Sequence, residues 1–141
     1  MYKFIYPISL KGDGEGRYIV TLPDLPEAVA KSRAKEEIKA DALTVFEGTL
    51  ALYVDLHKSF PMPSPVKDGQ ESLTVLPSLA GKILLHNEML KAHLRPVDLA
   101  RRMGVRPQEI TRILDIRHKT KIDTLFLAMK ALGKDLQLSV E

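Results

Sequence analysis

The chain contains no cysteine. Disulfides and thiolate metal sites are therefore excluded, and the composition fits a protein of the reducing cytoplasm. Long apolar runs are missing too, so no bilayer-spanning segment is expected. Lys3, Tyr6 and Pro7 interrupt the N-terminus, and no signal peptide is expected there. Acids are present but do not cluster. Asp13, Glu15, Asp24 and Glu27 fall in turns, and no expected strand carries an acid among its inward residues. Metal-dependent nuclease chemistry needs several carboxylates converging on one point. Without them, that reading is set aside. His57, His86, His93 and His118 are scattered. His86 and His93 share an expected helix face, but their spacing of two turns is too long for one metal ion. No Ser-His-Asp set stands out. The expectation is a protein without enzymatic activity, metal or cofactor.

What is present suits one medium domain or two small ones: 141 residues, 45% hydrophobic and 28% charged. The net charge of +3 hides an asymmetry. Residues 1–76 hold nine Lys and Arg against eleven Asp and Glu, giving −2. Residues 77–141 hold twelve against seven, giving +5. The second half is suited to a polyanion and the first to a basic partner.

In the first half, Tyr2, Phe4, Tyr6, Ile8 and Leu10 alternate with other residues, which predicts a half-buried strand. Gly12–Gly16 turns the chain and Tyr18–Leu22 returns, completing a hairpin. The glycines are not a phosphate loop: no Lys-Ser/Thr pair or helix follows them. Pro23 and Pro26 end the second strand, which leaves residues 24–27 as a loop and Ala28–Lys31 as a short third strand. Ser32 is expected to cap a helix running to about Leu56, with Glu36 and Glu37 in its first turn. Ile38, Ala42, Val45, Thr49, Leu52 and Leu56 form the stripe expected to face the sheet. Leu43, Phe46, Leu50 and Tyr53 form a second stripe, which suggests cover on two sides. The proline-rich segment 60–66 reads as an extended connector, and Ser72–Leu76 as a fourth strand. A sheet with one covering helix indicates a small α+β domain.

The second half is organised around Arg95–Asp115, RPVDLARRMGVRPQEITRILD. It reads as two short helices joined by a tight turn. Ala100 permits a close helix crossing, and Gly104 supplies a positive φ. Ile110 and Ile113 point back at the first helix, with Leu99, Met103 and Leu114 completing the apolar face. This is the helix-turn-helix pattern, whose second helix enters the DNA major groove. Gln108, Thr111, Arg112 and Asp115 then face outward. Gln108 and Thr111 are expected at base edges and Arg112 at a guanine or phosphate. Arg106, Arg117, Lys119 and Lys121 flank the helix and are expected at phosphates. Before this motif, Ser78 is expected to cap a helix to about Lys91, with Leu79, Ile83 and Leu90 inward. After it, Ile122, Leu125, Phe126, Met129 and Leu132 form a helical stripe ended by Gly133. Leu136, Leu138 and Val140 alternate as a terminal strand. Pairing of that strand with a second copy would satisfy its backbone and make a two-fold dimer, presenting two recognition helices to a palindrome.

Several segments carry a resemblance: the hairpin and long helix, PMPSPV at 61–66, DLARRMG, PQEITRILD and TKIDTLFLAMKALGKDLQL. Over nearly its full length the chain resembles HicB-type antitoxins of the class with a C-terminal helix-turn-helix. The resemblance implies a partial RNase H-like domain over 1–76, without nuclease activity. That domain would bind a small basic mRNA-cleaving toxin, HicA, and cover its catalytic histidine. It implies a phage-repressor-like helix-turn-helix domain over 77–141 that dimerises and represses the toxin–antitoxin operon. Asp24, Glu27, Glu36 and Glu47 are candidate toxin contacts. Two departures stand out. The family's glycine before the long helix is replaced near Arg33, and Pro96 stands where a phosphate-clamping glutamine is common, leaving that contact missing or supplied by Arg95. The alternative is a ligand-responsive repressor whose first domain senses a small molecule in an apolar pocket.

Overall fold

A computed structural model describes residues 3–141. The fold is α+β, with small antiparallel sheets followed by several helices. It divides into two compact units. The first holds the described chain up to Tyr53 together with Pro61–Val75, and the second holds Val54–Phe60 and Leu76–Glu141.

The first unit begins with β1 (Ile5–Pro7) and β2 (Ser9–Gly12), where one uninterrupted strand was expected. Tyr2 lies outside the described residues. The strand changes partner at Ile8. β1 pairs antiparallel with β5 (Ser72–Thr74), Tyr6 opposite Leu73, and the Ile8 N–H continues that ladder to the Glu71 carbonyl at 2.8 Å. β2 pairs instead with β3 (Tyr18–Leu22), Leu10 opposite Val20. Pro7 has no N–H to donate, which suits the point of exchange.

The third strand is longer than expected. β4 runs Leu25–Ser32, and only Pro23 and Asp24 turn the chain. Pro26 does not end it because β4 is the outer strand of the order β2-β3-β4, where a missing N–H leaves no ladder bond unmade. Ser32 is the last residue of this strand and caps no helix; its hydroxyl donates to the Asp41 carboxylate at 2.6 Å. A single 3-10 turn, Lys35–Glu37, intervenes before α1 (Ile38–Asp55).

α1 buries one face, not two. Ile38, Ala42, Phe46, Thr49, Leu50 and Tyr53 are inside. Leu52 and Leu56, assigned inward from the sequence, are 44% and 62% exposed. Apolar residues occur all round this helix, so periodicity alone gives two candidate faces. The rings decide: Tyr6 and Phe46 meet with centroids 4.9 Å apart, and the Tyr53 hydroxyl donates to Glu27 on β4 at 2.6 Å. The connector is tied down at several points. The Tyr6 hydroxyl donates to the Pro61 carbonyl at 2.8 Å, and the Ser64 N–H donates to Asp24 at 2.9 Å.

The second unit is built on α2 (Pro77–Lys91), α3 (Pro96–Met103), α4 (Pro107–Leu114) and α5 (Ile122–Ala131). Leu76, not Ser78, is the N-cap of α2, because Pro77 occupies the first helical position with its φ already set. Leu85, Met89, Leu99, Ala100, Ile110, Ile113, Leu125, Ala128 and Met129 form its core. Leu79 and Leu90, expected inward, are only half-buried, and Phe126 is exposed while Ala128 takes the inner position. α2 and α5 approach closely at Gly81, where a Cβ would sit 2.9 Å from Leu125 Cδ1. His93 lies beyond the end of α2 with φ +52°, so it shares no helix face with His86. Residues 134–141 form no strand in this chain: Leu136 packs partly on the core, whereas Leu138 and Val140 are exposed.

Ile110 is fully buried, so Ile110→Ala should cost about 2–5 kcal/mol of stability. Leu138→Ala, at a position 72% exposed, should stay within about 0.5 kcal/mol. Urea unfolding at unchanged slope measures both.

Candidate functional site

The site is assembled by two eight-residue helices meeting at a glycine. Arg95 precedes α3, and Pro96 starts it. The Asp98 carboxylate reaches back to the Arg95 backbone N–H at 3.1 Å and takes the Arg95 guanidinium at 3.1 and 3.3 Å. The Arg95 hydrogen bond holds the Asp98 carboxyl below the usual carboxylate range. The guanidinium expected to replace a phosphate clamp is therefore engaged within its own helix. Gly104 ends α3 with φ +68° and ψ 32°, and Val105 N–H closes on the Ala100 carbonyl at 3.0 Å. A side chain at Gly104 would meet no neighbour, so its requirement is conformational, not spatial.

α4 turns Ile110 and Ile113 inward against α3 and α2. Gln108, Thr111, Arg112 and Asp115 are all exposed. The Thr111 hydroxyl donates to the Pro107 carbonyl at 3.2 Å, which keeps it close to its own helix. Arg106 is the N-cap, and Arg117, Lys119 and Lys121 are exposed on the segment that follows. One short helix is thus flanked by four cations, Arg106 at its start and Arg117, Lys119 and Lys121 beyond its end, beside a polar outer face.

The end of α4 is held by a residue the sequence reading did not single out. Lys82 of α2 is 3% exposed, and its ammonium donates to the carbonyls of Arg112 and Asp115 at 3.1 and 2.7 Å. Burial pushes its pKa down from 10.5 to about 8, against the opposing pull of the Asp115 carboxylate. The signal available in the sequence was a lysine inside the apolar stretch Leu79–Leu85, which reads equally well as a solvated helix position.

The candidate partner-binding acids of the first unit sit on four different elements. Asp24 lies in the β3–β4 turn and accepts from the Ser64 N–H and hydroxyl. Glu27 is on β4 and accepts from Tyr53. Glu36 belongs to the 3-10 turn, not to the long helix as expected, and Glu47 is half-buried on α1. Among the described residues no three His, Asp or Glu side chains are placed to hold a metal ion. A cleft beside β2, lined by Ile8, Ser9, Leu10, Gly69, Gln70 and Glu71, opens broadly to solvent. No helix of the described residues is long and apolar enough to cross a membrane. His86 is structural: its ring stacks on Phe60 at 4.2 Å, and Nε2 meets the Lys58 carbonyl at 2.8 Å. Burial holds its pKa below the ordinary histidine value.

Comparison with known proteins places this chain among the antitoxins. A family model described as the HicB_like antitoxin of bacterial toxin-antitoxin system matches residues 5–82. Antitoxin HicB 1 of Photorhabdus laumondii subsp. laumondii is 41% identical over 136 residues, covering 96% of this chain and 86% of that one. Antitoxin HicB of Escherichia coli strain K12 is 39% identical over 137 residues, covering 94% and 96%. Antitoxin HicB of Pseudomonas fluorescens is 31% identical over 127 residues, covering 89% and 87%. The chain belongs to the HicB-like antitoxin family.

The lowered pKa of Lys82 has a stability consequence. Between about pH 8 and 10.5 the unfolded chain holds this proton and the folded chain does not. The contribution of Lys82 to stability should therefore rise with pH across that window and be flat below it. Thermal unfolding of wild type and Lys82→Met from pH 7 to 10 tests this: the wild type should gain on the variant as pH rises.

Proposed function

We propose that this antitoxin neutralises a small basic mRNA-cleaving toxin of the HicA type and represses its own operon as a dimer. The N-terminal domain, over 1–76, acts as a partial RNase H-like scaffold. It lies over the toxin's RNA-binding surface and covers its catalytic histidine, with Asp24, Glu27, Glu36 and Glu47 as candidate contacts. Family membership carries this reading, and the net charge of −2 on that half supports it. Asp24 and Glu27 have internal partners in the unbound chain, so their use requires exchange of those bonds. The test is co-purification with the small basic protein encoded beside this reading frame. Binding that abolishes its RNase activity is the expected result; binding without inhibition would refute the assignment.

The C-terminal domain, over 77–141, acts as a helix-turn-helix domain, with α4 in the major groove. The observation behind this reading is the outward face of α4: Gln108, Thr111 and Arg112 are exposed together, with Arg106, Arg117, Lys119 and Lys121 beside them. Gln108 and Thr111 address base edges, Arg112 a guanine or phosphate, and the flanking cations the backbone. Leu136, Leu138 and Val140 pair with the same segment of a second copy, giving a two-fold dimer for a palindromic operator.

Thr111→Ala or Arg112→Ala should weaken operator binding by about 1–3 kcal/mol. Lys119→Ala should weaken operator and unrelated DNA alike and reduce the salt slope by about one. Footprints at varied salt separate the two classes, and an unchanged footprint for both would place the wrong helix in the groove.

A further inference from the structure

Among the described residues Lys82 is the only buried lysine or arginine. A buried ammonium is costly unless its donors are met and a negative potential faces it. Both conditions hold at the C-terminal end of α4, where the last carbonyls, each with acceptor capacity to spare, and the negative end of the helix dipole converge. Lys82 Nζ lies 2.7 Å from the Asp115 carbonyl oxygen and 3.1 Å from that of Arg112.

Asp115 is a junction. Its N–H donates to the Thr111 and Arg112 carbonyls at 3.1 and 3.2 Å. Its carbonyl accepts from Lys82 and also from the His118 N–H at 3.1 Å. Its carboxylate accepts from the Arg117 N–H at 3.0 Å. The ammonium therefore holds the last turn of α4 and the start of the segment bearing Arg117, Lys119 and Lys121. At eight residues, α4 is too short to fix its own end by internal bonds.

We propose that Lys82 is a positioning residue for sequence-selective DNA binding: its buried ammonium sets the end of α4 and the following basic segment in one register. It contacts no DNA itself. This rests on the reading of α4 as the recognition helix. Loss of the ammonium would loosen the relation between base-facing and phosphate-facing side chains, so selectivity falls while general attraction to DNA remains.

The test uses the full chain and two duplexes: the DNA immediately upstream of its own reading frame, and a scrambled duplex of equal length and composition. Lys82→Met keeps the side chain's length and removes the charge. Its preference for the upstream duplex should drop on the order of tenfold, with affinity for the scrambled duplex unchanged within about twofold. Ile83→Ala, a change at a fully buried position of the same helix outside the core that α3 and α4 share, controls for lost stability and should keep the preference when both are measured well below their melting temperatures. Titration of the wild type gives a second measurement that needs no variant. Asp115 is the charged group acting on Lys82, and α5 offers its Leu125 and Ile122 side chains to the adjacent Gly81. The wild-type preference should decline as pH rises through about 8, the direction opposite to the stability change. Equal preference in wild type and Lys82→Met, an equal loss in Ile83→Ala, or a wild-type preference flat from pH 7 to 9.5 would each overturn the proposal. A wild type with no preference for the upstream duplex would instead overturn the DNA-binding reading beneath it.

Discussion

Two helices of eight residues cannot persist by themselves in water, because helix nucleation is unfavourable and only a few internal bonds follow it. α3 and α4 exist because Leu99, Ala100, Ile110 and Ile113 are removed from solvent against Leu85, Met89, Leu125 and Met129. That constraint divides every residue of the pair into two classes. The inward positions are spent on the shared core, and the outward ones are free to be polar. Gln108, Thr111 and Arg112 fall in the second class because Ile110 and Ile113 occupy the first. The polar face thus follows from how the helix is held.

The first unit solves a different problem. One stretch of chain, Ile5–Gly12, serves two partners in succession, β5 and then β3. Antiparallel ladders on either side of a single strand hold distant parts of the chain together without a crossover helix. Tyr6 sits at the centre of this arrangement. Its ring packs on Phe46 and its hydroxyl reaches the connector at Pro61. The second unit treats the neighbouring residue similarly: the Asn87 side chain accepts from the Phe60 N–H at 2.7 Å and donates to its carbonyl at 3.0 Å, as a paired strand would. A proline-rich segment with few N–H groups is thereby given a definite path.

Much of this was readable from residue order. The hairpin, the long helix, the positive φ at Gly104 and the inward Ile110 and Ile113 each announce themselves through a pattern with one physical meaning. The misassignments occur where two patterns compete. Ser32 and Ser78 have cap chemistry, yet one completes a strand and the other follows a proline that already begins the helix. Pro26 looks like a terminator, yet it sits on an edge strand that tolerates it. α1 offers apolar residues on every side, and large rings at 46 and 53 outweigh the smaller Val45 and Leu52. The C-terminal alternation at Leu136, Leu138 and Val140 has no strand beside it in this chain, so no ladder forms.

Residue order alone determined the charge division between the two halves, the helices and most strands, and which face of α4 is apolar. Those are properties of local spacing and composition, carried by each segment wherever it sits. Tertiary structure alone decided that Lys82 is buried and where its ammonium ends. That outcome depends on the approach of α2 to the end of α4, thirty residues away in sequence at Arg112. A lysine in an amphipathic helix has the same local signature whether it meets water or two carbonyls at another helix's end, and only the packed neighbours distinguish the two.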